Sequence, residues 1–165
     1  MTSLVKLSEL VEAVDWVSED QQPLIDLESG HVVFVDSYLT GLLEEGDEEA
    51  LAELPDWQQE GLEIARAVLA DTGRRFMAVP DRFDFHEYRQ MERFIGTVED
   101  TGAAEALRRA IKGRGAFGRF KDAAARLDLL ERWFRYRDDA LRDFVRDWAE
   151  VKGLAFEDDT GDRKP

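Results

Sequence analysis

The sequence predicts an α+β fold: a small three-stranded antiparallel sheet near the N-terminus packed against a C-terminal helical cluster. Three observations carry that prediction. Short β-prone runs bounded by turn residues occur only ahead of residue 80. From residue 84 onward the apolar residues recur at helical spacing almost without a break. A hydrophobic content of 44%, with four Trp and ten Phe, is enough to bury a core despite 36% charged residues. A length of 165 residues suits one domain.

Taken in order, the first element is a short helix with Ser8 as its N-cap and Leu10, Val11, Val14 and Val17 at apolar spacing. Runs at 24–27 and 31–35, joined through Glu28-Ser29-Gly30, read as a β-hairpin. Residues 44–53 form an acidic connection with room for one helical turn. Pro55 stands at a helix N1 position with Asp56 and Glu60 near the positive dipole end. Leu62, Ile64, Ala65, Val68 and Leu69 continue that helix to Gly73. A third strand at 76–79 is closed by Pro80.

Asp84 and Glu87 have capping-box spacing ahead of a helix through Tyr88, Met91, Phe94, Ile95 and Val98. Another helix covers about 103–112 and ends at Gly113; the next begins after Gly115 and includes Phe117, Phe120 and Leu127. The last and longest, about 128–152, aligns Leu130, Phe134, Arg137, Leu141, Phe144, Trp148 and Val151 along one face and stops at Gly153. Phe134, Leu141, Phe144 and Trp148 are expected inside, with Arg132, Asp139 and Arg146 outside. Arg137 falls on the apolar seam and calls for an acid. A single domain is expected over 1–153, followed by a mobile acidic and polar tail, 154–165.

Charge divides the chain. The total is 22 Lys+Arg against 37 Asp+Glu, or −15, with a pI near 4.5. Residues 1–73 hold two basic and 18 acidic residues, whereas residues 74–165 hold 20 and 19. Such a field repels nucleic acid and anionic membranes unless a local basic patch overrides it. Cysteine is absent, which excludes disulfides, thiolate ligands and cysteine nucleophiles. With no signal peptide and no apolar run of spanning length, a cytoplasmic protein without membrane contact is expected.

Val5-Lys6-Leu7, Leu54-Pro55-Asp56-Trp57, Phe83-Asp84, His86-Glu87-Tyr88 and Met91-Glu92-Arg93-Phe94 occur in this order. Gly113-Arg114-Gly115-Ala116-Phe117, Trp133-Phe134 and Tyr136-Arg137-Asp138 follow them. With these motifs, over roughly residues 4–153, the chain resembles a bacterial group known as the uncharacterised protein family numbered 0158. The resemblance implies no assigned activity, cofactor or catalytic residue.

The clearest functional signal is the segment 108–126, with seven basic residues against Asp122 alone, a net of +6. Lys112, Arg114, Arg119, Lys121 and Arg126 are the anion-binding candidates, since guanidinium groups beside a helix start make a phosphate or carboxylate cradle. The alternative is that these bases form ion pairs with the acidic half. Gly113, Gly115 and Gly118 match the dinucleotide-binding glycine spacing, but the segment before them reads as helix where that fingerprint requires a strand. His86, Glu87, Gln90 and Glu92 fall short of a metal motif, and two histidines cannot build a histidine-rich zinc site. Asp26, Glu28, Asp36 and the acidic run at 44–49 read as a solvated surface. Arg132, Arg135, Arg137, Arg142 and Arg146 interleave with acids on the last helix and read as a salt-laced face, with Glu131–Arg135, Arg135–Asp139 and Arg146–Glu150 as pairs. No catalytic residue, cofactor or metal is assigned. The expected function is a non-enzymatic binding or adaptor protein with a protein partner. The alternatives are a phosphate-ligand or nucleic-acid site at 112–126, and an enzyme whose site leaves no linear motif.

Overall fold

The computed structural model of the chain describes residues 3–16 and 18–161. It is α+β, with a three-stranded antiparallel sheet near the N-terminus and a helical C-terminal cluster. Two compact units divide the chain, one of residues 1–81 with 145–165 and one of residues 82–144.

The first unit opens with β1 (Val5–Lys6) and α1 (Leu7–Asp15), followed by the hairpin β2 (Gln21–Asp26) and β3 (His31–Asp36). Both hairpin strands are longer than the apolar runs that announced them. β2 tolerates Pro23 because only Leu24, Ile25 and Asp26 pair on the second side, with β4 (Phe76–Ala78), so at Pro23 the strand is still an edge. The sheet order is β3-β2-β4. Gly30, at φ +76°, closes the turn by donating its N–H to Asp26 O at 2.8 Å.

Ser8 does not cap α1. The helix starts one residue earlier, and Ser8 gives both its N–H (2.9 Å) and its hydroxyl (2.5 Å) to the carboxylate of Asp159. Val17, counted in that helix by its spacing, lies outside the described residues. A helix the apolar pattern did not announce, α2 (Ser37–Glu45), follows β3 directly. Tyr38, Thr40 and Gly41 are weak helix formers. Capping by Asp36, which accepts the Tyr38 N–H at 2.8 Å, and burial of Leu39 and Leu42 hold it instead. The acidic connection does contain a helical turn, α3 (Glu48–Ala52).

Pro55 precedes a 3₁₀ turn, Asp56–Gln58, so it does not occupy N1 of α4 (Gln59–Ala70). α4 packs close to α2, where a Cβ added at Gly61 would stand 3.1 Å from Leu39 Cδ1. It stops short of Gly73 because Asp71 turns the chain. The Asp71 carboxylate accepts the N–H groups of Arg74, Arg75 and Phe76 at 2.9–3.3 Å, which aims the backbone into β4. After Gly153 (φ +68°), Leu154 is buried and β5 (Phe156–Glu157) pairs parallel with β1. Residues 162–165 of the expected tail lie outside the described residues.

The second unit holds α5 (Arg82–Phe85), α6 (Glu87–Ile95), α7 (Thr101–Ala110), α8 (Ala116–Arg126) and the first part of α9 (Leu130–Lys152). The expected capping box does not form. His86 takes a left-handed conformation (φ +53°) between α5 and α6, which makes Glu87 the first residue of α6 and leaves Asp84 in a separate turn. Phe94, Leu107, Phe120 and Trp133 fill the core, with the Trp133 ring centroid 5.0 Å from Phe120 and 5.5 Å from Phe94.

The buried face of α9 meets the expected stripe at Leu141 but departs from it by one residue at either end, to Trp133 before it and to Val145 and Ala149 after it. Trp133, Leu141, Val145 and Ala149 are buried, whereas Phe134 is 43% exposed and Val151 is 85% exposed. Phe144 and Trp148 are only partly covered. The helix carries two adjacent apolar stripes, and spacing alone does not say which meets the neighbours. Arg132 and Asp139 are exposed as expected, while Arg146 is partly covered and bonds Asp158. Arg137 has the acid it needed: Glu87 Oε1 accepts from its Nε, with both side chains largely buried. Among the described residues no helix is long and apolar enough to cross a membrane.

Candidate functional site

The cationic segment becomes a helix–loop–helix. α7 delivers Arg108 and Arg109 in its last turn, a loop of residues 111–115 carries Lys112 and Arg114, and α8 carries Arg119, Lys121 and Arg126. Gly113 and Gly115 take φ values of +79° and +75°, which lets the chain reverse between the helices within five residues. Helix precedes these glycines, so the dinucleotide-binding arrangement, which needs a strand there, does not exist.

Arg119 differs from the other candidates. Its Nε donates to Ala110 O at 3.1 Å, and its two terminal nitrogens donate to the carbonyls of Arg114 and Lys112. The guanidinium thus satisfies the open carbonyl end of α7 and fixes the loop from inside. It is a positioning residue for Lys112 and Arg114, whose side chains project outward and exposed.

On α8, Arg119, Ala123 and Arg126 share the flank that faces α7. With Ala106, Arg109, Ala110, Asp122 and Leu127 they line an open groove of about 510 Å³. Arg109 therefore joins the site although it was not among the candidates. It lies ten residues from Arg119 on another helix, and only its place in the same basic segment hinted at it. Lys121 sits on the opposite flank of α8, one turn after Phe117, and does not line the groove. Among the described residues no carboxylate pairs with Arg109, Lys112, Arg114, Lys121 or Arg126. All five are exposed.

Several charged residues elsewhere have partners. Arg82 and Arg137 converge on Glu87, and Arg142 approaches Asp139 (3.7 Å) and Asp143 (3.8 Å). Asp26, the buried charged residue of the first unit, accepts from Nε and Nη2 of Arg75 at 3.1 Å each. Those two bonds, with the Glu28 N–H, hold its carboxyl below the usual range although burial pushes the other way. Asp36 caps α2, and His31 meets Glu9 at 3.1 Å. The acids that flank the hairpin thus have structural duties.

Charge follows the structural division. The first unit contains 8 Lys+Arg and 25 Asp+Glu, a net of −17; the second contains 14 and 12, a net of +2. Within the second unit Arg109, Lys112, Arg114, Lys121 and Arg126 meet no carboxylate among the described residues. On α9, Arg137 and Arg142 do, through Glu87, Asp139 and Asp143 rather than through the expected Glu131–Arg135 and Arg135–Asp139 pairs. Arg146 bonds Asp158 rather than Glu150.

Comparison with known proteins agrees with the motifs. The family model of the uncharacterised protein family UPF0158 matches residues 2–161. A UPF0158 protein of Pseudomonas aeruginosa is 26% identical over 147 residues, which cover 88% of this chain and 81% of the relative. No solved structure matches. The sequence motifs and the family match reach nearly the whole length of both units, and the chain belongs to the uncharacterised protein family UPF0158.

Proposed function

We propose that this chain is a binding protein that engages an anionic macromolecular partner through the α7–loop–α8 surface of its second unit. One observation carries the reading: five exposed cations have no carboxylate partner among the described residues, with Arg109 and Arg126 lining a groove, Lys112 and Arg114 on the adjoining loop and Lys121 on the far flank of α8. Solubility does not require them, because a net charge of −15 already supplies it. The acidity of the first unit disfavours polyanions there and confines attraction to this face. The same reading places the protein in the cytoplasm, where macromolecular polyanions abound.

The test is titration of a labelled polyphosphate or heparin fragment into the full chain. Binding should weaken as salt rises, since it proceeds by release of counterions. Arg109→Ala combined with Arg126→Ala should reduce affinity by about tenfold or more without moving the melting temperature. Arg119 is spared because its loss would loosen the loop. Wild-type indifference to every polyanion at low salt would overturn the reading.

A further inference from the structure

We infer that the anionic partner is a single-stranded nucleic acid, with a base stacked on Phe117 and its phosphates tracked by the surrounding cations. This inference rests on the polyanion-binding reading above and names its partner class. Its starting point is an aromatic ring where burial would be the usual outcome. Phe117, in the first turn of α8, is 47% exposed, and Tyr88, whose hydroxyl donates to Ile111 O at 3.1 Å at the other end of the loop, is 41% exposed. Both rings thus adjoin the segment that carries Lys112 and Arg114.

The helix geometry orders the rest. At about 100° per residue, Ala116, Phe120, Ala123 and Ala124 point into the core. Phe117 and Lys121 form one flank of the exposed face, and Arg119 and Arg126 form the other. Between them the crest carries Gly118, Asp122 and Ala125. A Cβ at Gly118 would meet nothing within 4 Å, so the crest is low where the flanks come closest to the loop. A chain crossing this end of α8 passes from the Phe117 ring and Lys121 on one flank, over the low crest at Gly118, to Arg126 on the other.

That combination suits unpaired nucleotides. Every base offers a π-face, and alternation of stacking platforms with backbone-tracking cations is how sequence-tolerant single-strand binding works. A duplex hides its base faces in the stack. An acidic protein would satisfy the cations but would find little apolar surface beside Phe117 on the exposed side of α8, where Gly118 and Lys121 are its helical neighbours. Asp122 is the discordant residue of the crest, and its removal should help.

The experiment is fluorescence anisotropy with the full chain and four probes of equal length: oligothymidylate, the same backbone with abasic sites, a duplex, and polyglutamate as competitor. Oligothymidylate should bind more tightly than the abasic strand by about 5- to 100-fold, the range a stacked base contributes. Phe117→Ala should remove a similar factor for oligothymidylate and leave the abasic strand unaffected. Phe117→Trp should restore binding, and Asp122→Asn should strengthen binding of both strands. Circular dichroism of each variant confirms that the fold is kept. Equal binding of base-bearing and abasic strands, or tighter binding of the duplex, overturns the inference and leaves the polyanion reading standing. So does preferential competition by polyglutamate. Failure of every polyanion to bind overturns both.

Discussion

Replacing Trp133 by Ala tests the register of α9 and with it the core of the second unit. The indole is 1% exposed and sits edge-on to Phe94 and Phe120 with Tyr136 stacked beside it. A buried Trp removes up to about 250 Å² from water, which at about 25 cal/mol per Å² is about 6 kcal/mol. Residual burial in the unfolded chain lowers that figure, and the cavity left by Ala adds to it. The expected loss is about 3–5 kcal/mol. The neighbouring Phe134 is 43% exposed, so Phe134→Ala should cost only about 1 kcal/mol. Urea unfolding followed by far-ultraviolet dichroism and by tryptophan fluorescence measures both, with two probes because two compact units can unfold in separate steps. Trp133→Phe supplies an internal check. The indole N–H has no acceptor among the described residues, so removing it relieves an unmet group and offsets part of the lost packing, for a net cost below about 1.5 kcal/mol. A loss for Trp133→Ala no larger than for Phe134→Ala would refute the observed register.

Three further outcomes can be checked by thermal melting. Gly30→Ala should cost about 2 kcal/mol or more, because φ is +76° and the added Cβ would lie 2.5 Å from Leu4 O; Gly118→Ala, in open space on α8, should instead gain about 0.5–1 kcal/mol. Asp26 has its carboxyl depressed by Arg75, so the stability it contributes is complete above its unfolded value near about pH 4 and is lost as pH falls through the lower folded value. The gap in melting temperature between wild type and Asp26→Asn should therefore be wide at neutral pH and close below about pH 4, and a gap independent of pH would contradict the pairing. Asp159→Ala should lower the melting temperature by a few degrees, since it frees the Ser8 N–H and hydroxyl at the start of α1; an unchanged value would show that the contact is idle.

What the sequence determined by itself was local. The hairpin, the third strand and the order of the C-terminal helices follow from period and punctuation, because alternation, 3–4 spacing and left-handed glycines act over a few residues. The need of Arg137 for an acid could be read from its place on an apolar seam, although which acid could not. The segment 108–126 was legible as a concentration of charge for the same local reason.

Tertiary structure decided which partner each residue takes. Asp159 caps a helix 151 residues away in sequence, a contact no window reveals. Glu87 has capping-box spacing but belongs to Arg137 and Arg82, because His86 breaks the helix before it. Trp133 is inside and Phe134 is half outside, because packing selects one of two equivalent stripes. Arg119 and Arg126 are the same residue type seven positions apart. One is consumed by three backbone carbonyls and the other faces an open groove. A side chain's type sets what it can bond, whereas the chain's three-dimensional path sets which groups come within reach. Only the second distinguishes a cation that builds the loop from one left on the surface to bind.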